Sequence, residues 1–298
     1  MGRVTHTAAQ DWDRVRHERP GVSMMLTRFA RYGKFAAAIL LLIPVLAGAA
    51  GPTAPPESVM WPKLRAYLFQ DRVISDDANK LIELIAPDRA QDAAVMPVVI
   101  KAKLPQTPER YIKSIHLILD DNPGPVAAVF HLTPASGRAD IETRVRVEQY
   151  TYLRAVVETS DGSLSMVTKY VKASGGCSAP AGRDNTEAAR DLGKMRLSVT
   201  DTPSLNEPVM AQLMIRHPNH SGLVMDQLTR LHQPPHYVRR VEIAYAGEPV
   251  LSADMDISIS ENPNFRFYFI PAAAGELTAR ASDSEDLEFE TSIGIAPG

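Results

Sequence analysis

Short segments of strictly alternating residues recur along this 298-residue chain and limit the folds open to it. In residues 141–148 the odd positions are apolar or threonine, and the even positions are glutamate or arginine. Alternation with a period of two is typical of an antiparallel strand with one buried and one solvated face. Residues 209–216, 240–245 and 265–270 repeat the pattern, and turn signals such as Asn-Pro-Asn at 262–264 bound them. Strands this short, with turns at this spacing, predict β-sandwiches.

The residues before the first strands carry a helical pattern instead. Residues 61–69 and 76–85 are both helix-like. In the second segment Asp76 or Asp77 can cap the N-terminus, an apolar stripe follows, and Pro87 ends it. We therefore predict an all-β protein with short N-terminal helices.

Residues 25–51 resemble a secretory signal peptide. Three basic residues precede an apolar core of about 12 residues at 35–46, which is shorter than the roughly 20 needed to span a bilayer. Small residues at 47–49 then suit a cleavage site, which places the mature start near Ala50. The sequence thus predicts a periplasmic protein with no membrane segment after cleavage. Initiation at Met24 or Met25 and an uncleaved membrane anchor are the open alternatives.

Charge and motifs argue against several classes of function. The net charge is −3 and the charges are mixed along the chain, so no basic stripe is available for a nucleic acid. HExxH, GxSxG, P-loop and GxGxxG motifs are absent from the sequence. We expect a protein that is not an enzyme and needs no cofactor.

Two pairs of histidines are the candidate metal ligands. His217 and His220 lie in the segment 216–222, and His232 and His236 flank two prolines. Because no third ligand is spaced nearby, we interpret both segments as polar loops and predict no metal site.

Charged residues in 141–148 are assigned to the solvent face of their strand. Glu142 and Glu148 alternate with Arg144 and Arg146. This pattern suits charge pairing across neighbouring strands.

The chain has one cysteine, Cys177, in a flexible-looking segment that runs from residue 172 to 183. Gly175 and Gly176 precede the thiol, Ser178 follows it, and no large apolar residue is close in sequence. A thiolate is the species that forms covalent adducts, and glycines give a segment the freedom to enter a partner's active site. The segment lacks a base, so the sequence favours a passive covalent carrier with a mobile, exposed thiol; an incidental linker cysteine is the alternative.

These residues carry a resemblance to a known family. The segment that ends in Gly175-Gly176-Cys177, which follows a hairpin at Gly162, resembles the SoxY sulfur-carrier subunit, as do residues 94–102. The second half is similar to SoxZ in five places: Arg-His-Pro at 216–218, Gly222, Pro-His-Tyr-Val at 235–238, Ile-Ser-Glu-Asn-Pro at 259–263, and the aromatic strand 265–269. The order of the two halves resembles the fused SoxYZ-like carriers associated with quinoprotein dehydrogenases.

The resemblance implies two immunoglobulin-like β-sandwich domains that pack on each other and are joined by a flexible Gly-Cys arm. The expected division is 1–50 signal peptide and upstream extension, 51–90 linker and helical segment, 91–173 SoxY-like sandwich, 174–190 arm, and 191–298 SoxZ-like sandwich. Cys177 would hold sulfur-containing intermediates for partners such as c-type cytochromes or a quinoprotein dehydrogenase. Unlike the familiar arm, this one is followed by Ser178 and a whole domain.

Two other functions stay open at this stage. The chain would be an accessory or binding module of a periplasmic quinoprotein dehydrogenase if the thiol is dispensable. It would be a thiol-active enzyme, such as a sulfur transferase, if it turns over a substrate unaided.

Overall fold

A computed structural model describes residues 55–180, 190–200, 202–225, 229–296 and 298. The signal-like segment 25–51, the residues before it and residues 181–189 of the predicted arm lie outside the described residues. The predictions made for them therefore stay predictions. No helix among the described residues is long and apolar enough to cross a membrane.

The described residues are organised mainly as β-strands. The helix α1 (Trp61–Phe69) comes first, and short 3₁₀ turns occupy Ala78–Lys80 and Pro134–Ser136. The first half contains β1 (Ile74–Ser75), β2 (Ile82–Ile85), β3 (Met96–Ala102), β4 (Ile112–Leu119), β5 (Val126–Leu132), β6 (Ile141–Val145), β7 (Thr151–Thr159) and β8 (Leu164–Val171). The second half contains β9 (Met195–Val199), β10 (Val209–Ile215), β11 (Val238–Tyr245), β12 (Glu248–Met255), β13 (Asn264–Phe269), β14 (Gly275–Asp283) and β15 (Glu288–Ile295). The all-β prediction is confirmed.

Of the two predicted N-terminal helices, only α1 forms. The hydroxyl oxygen of Ser58 accepts the N–H of Trp61 at 3.0 Å, which satisfies one donor of the first turn. Leu64 and Phe69 are buried on its inner face. The helical prediction for residues 76–85 is wrong, because Ile82 and Leu84 point into the core from β2, which pairs antiparallel with β3. Strand pairing here overrides the helical spacing of the apolar residues.

The strands form two sheets, and both sheets run through both halves of the chain. The nine-stranded sheet has the order β1-β8-β7-β4-β5-β12-β11-β14-β15, and the six-stranded sheet has the order β2-β3-β6-β13-β10-β9. The prediction of two sandwiches is confirmed, but their expected separation into independent sheets is wrong. Strand β12 pairs antiparallel with β5, and β13 pairs with β6, so the two sandwiches are joined edge to edge.

One hydrophobic core extends through both halves between the two sheets. Its fully buried side chains include Ile115 from the first half and Phe267 from the second. The rings of Phe130 and Phe265 meet edge to face with centroids 6.2 Å apart, which links the halves directly. A smaller cluster, with Leu64, Phe69 and Val156, lies where α1 covers the nine-stranded sheet.

Candidate functional site

The segment that carries Cys177 is a turn packed against the first half of the chain. After β8, the N–H of Gly175 donates to the carbonyl of Glu148 at 2.7 Å, and the N–H of Gly176 donates to the carbonyl of Val147 at 2.9 Å. Gly175 has a φ of 77°, which glycine adopts without strain. We define residues 175–178 as the docked turn.

Gly176 is required at its position by close packing. A Cβ built on this residue would lie 2.1 Å from the carbonyl oxygen of Ala93 and 2.8 Å from the backbone nitrogen of Val147. Both neighbours are backbone atoms and already bond to each other at 2.8 Å. The sequence suggested that this glycine provides mobility, but the structure shows that it permits a tight backbone contact.

The carboxylate of Glu148 collects the donors of the docked turn. Its Oε2 accepts the N–H of Cys177 at 2.9 Å and the N–H of Ser178 at 3.2 Å. Its Oε1 accepts the hydroxyl of Ser178 at 3.2 Å. From the second half of the chain, the hydroxyl of Ser221 donates to the carbonyl of Cys177. The docked turn is therefore bonded to both halves.

The thiol of Cys177 is enclosed in this arrangement, with 0% of the residue exposed. Burial, and to a lesser extent the carboxylate of Glu148, raise the pKa of Cys177 to about 12, although the guanidinium of Arg146 opposes both effects. The predicted exposed thiol is thus wrong for the described conformation. The reason is that residues distant in sequence cover the thiol. A protonated, enclosed thiol is a poor nucleophile.

Arg146 crosses from the first half into the second. Only 4% of this residue is exposed, so its predicted position on a solvent face is wrong. Its guanidinium donates to the carbonyls of Asn219, Ile259 (3.1 Å) and Pro218 (3.4 Å). Burial lowers the pKa of Arg146, while the negative charges of ionised Cys177 and Glu261 raise it. A buried guanidinium held by carbonyls fixes the geometry of this junction.

The other charged residues of 141–148 follow the prediction in part. Glu142 forms a cross-strand ion pair with Arg266, with 2.9 Å between Oε2 and Nη1. Arg144 is exposed. Charge pairing is confirmed for Glu142, whereas Glu148 binds the docked turn instead.

The loop that contains His217 lies largely inside the protein. The predicted loop forms after β10, but His217 is 2% exposed, and Asn219 and Ser221 are also buried. His220 and His236 face each other in a β-bridge, and His232 bridges with Met225. The buried part of this loop supplies the carbonyls around Arg146 and the hydroxyl that holds Cys177.

His217, His236 and Asp283 converge through atoms that lie within 4.8 Å of one another. The Oδ2 of Asp283 is 2.8 Å from Nε2 of His236 and 3.4 Å from Nε2 of His217. Burial lowers the pKa of His217 to about 4. Burial of Asp283 raises its pKa, but hydrogen bonds from His236 and from two backbone N–H groups outweigh this effect and lower the pKa overall.

The hydrogen bonds of His217 distinguish between a metal centre and a hydrogen-bonded network at this cluster. The N–H of Asn219 donates to Nδ1 of His217 at 3.0 Å, so Nδ1 is an acceptor and the proton of the neutral ring lies on Nε2. A protonated Nε2 has no lone pair for a metal ion and donates to Asp283 instead. The geometry therefore favours a hydrogen-bonded network over a metal centre.

The structure places Gly175, Gly176, Cys177 and Ser178 in one turn, where the sequence predicted a flexible arm. Sequence analysis missed Glu148 as the partner of that turn. The alternation of 141–148 continues through Glu148 in the sequence although β6 ends at Val145, so the pattern carried no signal of this role.

Two family models match the chain, one in each half. The model of the sulfur oxidation protein SoxY matches residues 65–177, and the model of the sulphur oxidation protein SoxZ matches residues 195–293. The SoxY match ends on Cys177. Together the two matches include every strand from β1 to β14.

Solved structures with a similar arrangement of strands are distant. The sulfur carrier protein SoxY from Chlorobium limicola f thiosulfatophilum is 23% identical, over 38% of this chain and 91% of that one, with a TM-score of 0.32. A superoxide reductase (neelaredoxin) from Ignicoccus hospitalis is 11% identical, over 39% of this chain and 89% of that one, with a TM-score of 0.28. No curated protein matches the chain.

The family matches agree with the residues that carried the resemblance, from the glycine-rich turn to the histidine loop. The chain therefore contains a SoxY domain followed by a SoxZ domain in one polypeptide.

Proposed function

We propose that this protein is a periplasmic covalent carrier that holds sulfur-containing intermediates on Cys177 and has no catalytic activity of its own. The observation that carries the proposal is the position of Cys177, at the end of the SoxY match and on a turn held by hydrogen bonds. The residue belongs to neither hydrophobic cluster of the described residues. A thiol kept only for core packing would normally lie within such a cluster.

The enclosed thiol is the resting form of this carrier. Loading requires that the docked turn leave Glu148, because a partner cannot reach a residue with 0% exposure. The turn is held by hydrogen bonds, worth about 1 kcal/mol net between neutral groups and about 1.5–3 kcal/mol to the charged carboxylate. Undocking therefore requires no disruption of either hydrophobic cluster.

Loading needs partners that accept electrons. When thiosulfate is the cargo, its outer sulfur bonds to Sγ of Cys177, the thiol proton leaves to solvent, and two electrons pass to a c-type cytochrome. The product is an S-thiosulfonate, Sγ–S–SO3⁻, which contains both sulfur atoms of thiosulfate and retains one negative charge. A quinoprotein dehydrogenase is a second partner class, and the signal-like segment 25–51 would deliver the chain to the periplasm where both operate.

Intact mass spectrometry of the protein purified from its native periplasm tests the proposal. The carrier should show covalent sulfur adducts on Cys177, and the mature chain should lack its first ~50 residues. Cys177→Ser should fold normally, show no adduct and stop the pathway. Ser178→Ala, which keeps the thiol and loses one hydroxyl hydrogen bond, is the matched control and should retain the adduct.

An accessory module of a quinoprotein dehydrogenase is the second candidate, and the enclosed thiol favours it. In that case the protein isolated from its native compartment would be free of adducts, and Cys177→Ser would support the pathway as well as the native chain. Unaided turnover of a sulfur compound by the purified protein would instead indicate an enzyme.

A further inference from the structure

The docked turn is held mainly through one side chain. The carboxylate of Glu148 receives three hydrogen bonds from the turn, two from Ser178 and one from Cys177. Hydrogen bonds to an ionised carboxylate are about twice as strong as those between neutral groups. Loss of this one charge should therefore weaken the docking of the whole turn.

Glu148 is itself fixed by contacts that do not involve the turn. Its N–H donates to Oδ1 of Asn122 at 3.0 Å, and Nδ2 of Asn122 donates to the carbonyl of Arg146 at 2.7 Å. Asn122 also donates to the hydroxyl oxygen of Ser258, in the SoxZ domain, at 2.9 Å. The carboxylate is therefore already positioned to accept the turn, and a change of the side chain alone leaves the backbone supported.

The surroundings of the thiol favour its neutral form. Sγ lies in an enclosed position, where a charge loses its solvation. Of the two charged neighbours, Glu148 disfavours a negative charge on Sγ more strongly than Arg146 favours one. A negative charge on a group attached to Sγ would be repelled by the same carboxylate, whereas a neutral group of similar size would not.

We propose that Glu148 is a positioning residue that keeps the unloaded Cys177 docked and that a negatively charged adduct on Sγ releases the turn. The docked conformation then belongs to the empty carrier, and the released conformation belongs to the loaded one. Partner enzymes could thereby distinguish the two states by the position of the turn. The docking role of Glu148 rests on the observed contacts alone. The release of the turn when the carrier is loaded rests on the proposed carrier function.

The first test measures how fast the native protein reacts with iodoacetamide, a neutral reagent. Glu148→Gln removes the charge and keeps the size of the side chain. It should increase the labelling rate of Cys177 about tenfold or more, because each charged hydrogen bond that is weakened contributes about that factor. Glu142→Gln, which removes a carboxylate from the preceding strand, is the matched control and should label at the native rate.

Thermal unfolding of the same variants separates positioning from general stability. Glu148→Gln should label faster with little change in Tm, and Glu148→Asp, which keeps the charge, should restore much of the protection. A Glu148→Gln protein that labels at the native rate would overturn the docking role. Faster labelling accompanied by a matching loss of global stability would overturn it as well.

The second test compares two adducts made on the purified protein. Cys177 is converted to the anionic S-sulfonate or to the neutral carbamidomethyl form, and hydrogen exchange is measured at the amides of residues 175–178. The amides of Cys177 and Ser178 should exchange at least about tenfold faster in the sulfonate form, because only that form brings a second negative charge to Glu148. Equal exchange in the two forms would refute release by charge.

Neither test depends on the pathway. Absence of a native adduct would therefore refute the carrier function without affecting the docking role of Glu148. Failure of the labelling test would refute the docking role, and mass spectrometry would still test the carrier function.

Discussion

Cys177 should react with iodoacetamide far more slowly in the native protein than in denaturant. It is the chain's one cysteine, so the mass of the intact protein reports on a single site. The reactive species is the thiolate. Enclosure raises the pKa of this thiol from 9.0 to about 12. The fraction of thiolate below pH 9 should therefore be about a thousandfold lower in the docked state.

Because the docked thiol is fully enclosed, the reagent reaches Cys177 only after the turn undocks. The protection therefore gives the free energy of undocking directly. A protection between about tenfold and a thousandfold would place that free energy between about 1.4 and 4 kcal/mol.

The protection should also depend on pH with a definite sign. Between the undocked pKa near 9.0 and the docked pKa of about 12, the undocked thiol loses its proton and the docked thiol keeps it. Docking is therefore favoured below pH 9 and weakens as the pH rises through this window. Labelling at equal rates in native buffer and in denaturant would refute the enclosed thiol. Protection that stays constant well above pH 9 would refute its electrostatic explanation.

Three further changes test the surroundings of the docked turn. Gly176→Ala should abolish the protection of the thiol because its Cβ would lie 2.1 Å from a backbone carbonyl oxygen, whereas Gly294→Ala, which has no neighbour within 4 Å, should not. Arg146→Met should lower the free energy of unfolding in urea by about 3 kcal/mol, because the buried carbonyls lose their donor, whereas the exposed Arg144→Met should change it little. His217→Gln should flatten the dependence of stability on pH. In the unmutated protein the unfolded ring binds a proton near pH 6.5 and the buried ring only near pH 4. Its free energy of unfolding should therefore fall by up to about 3 kcal/mol as the pH falls through this window. Equal slopes in the two proteins would contradict that assignment.

The strands were predictable from sequence where one face is buried and the other is wet. Strand β10 shows the pattern clearly: Val209, Ala211 and Leu213 are buried, and the residues between them are half-exposed. Local alternation carries that information because the side chains of a strand point to opposite faces in turn. The alternation within a strand does not show which strand lies beside it. The edge pairing of β5 with β12 could therefore not be predicted from the sequence.

The sequence singled out Cys177 as the candidate site residue, but it did not predict that the thiol is enclosed. The glycine-rich context identified Cys177, because small residues bracket it in the sequence. Its enclosure depends on Glu148 and Ser221, which are 29 and 44 residues away along the chain. Arg146 was misplaced for a related reason. Beyond Val145 its N–H bonds to the carbonyl of Ser258, so the strand pattern no longer determines where its side chain points.

Residues 146–148 form contacts with both domains and also hold the docked turn that encloses the thiol of Cys177. Arg146 donates its N–H to the carbonyl of Ser258 in the SoxZ domain, and Val147 donates its N–H to the carbonyl of Ala93 in the SoxY domain. Glu148 holds the docked turn through its carboxylate and its carbonyl. These three residues directly follow β6, one of the two strands through which the sheets cross from one domain to the other. A change that separates the SoxZ edge from β6 should therefore also release Cys177, since both contacts depend on the same short stretch of backbone.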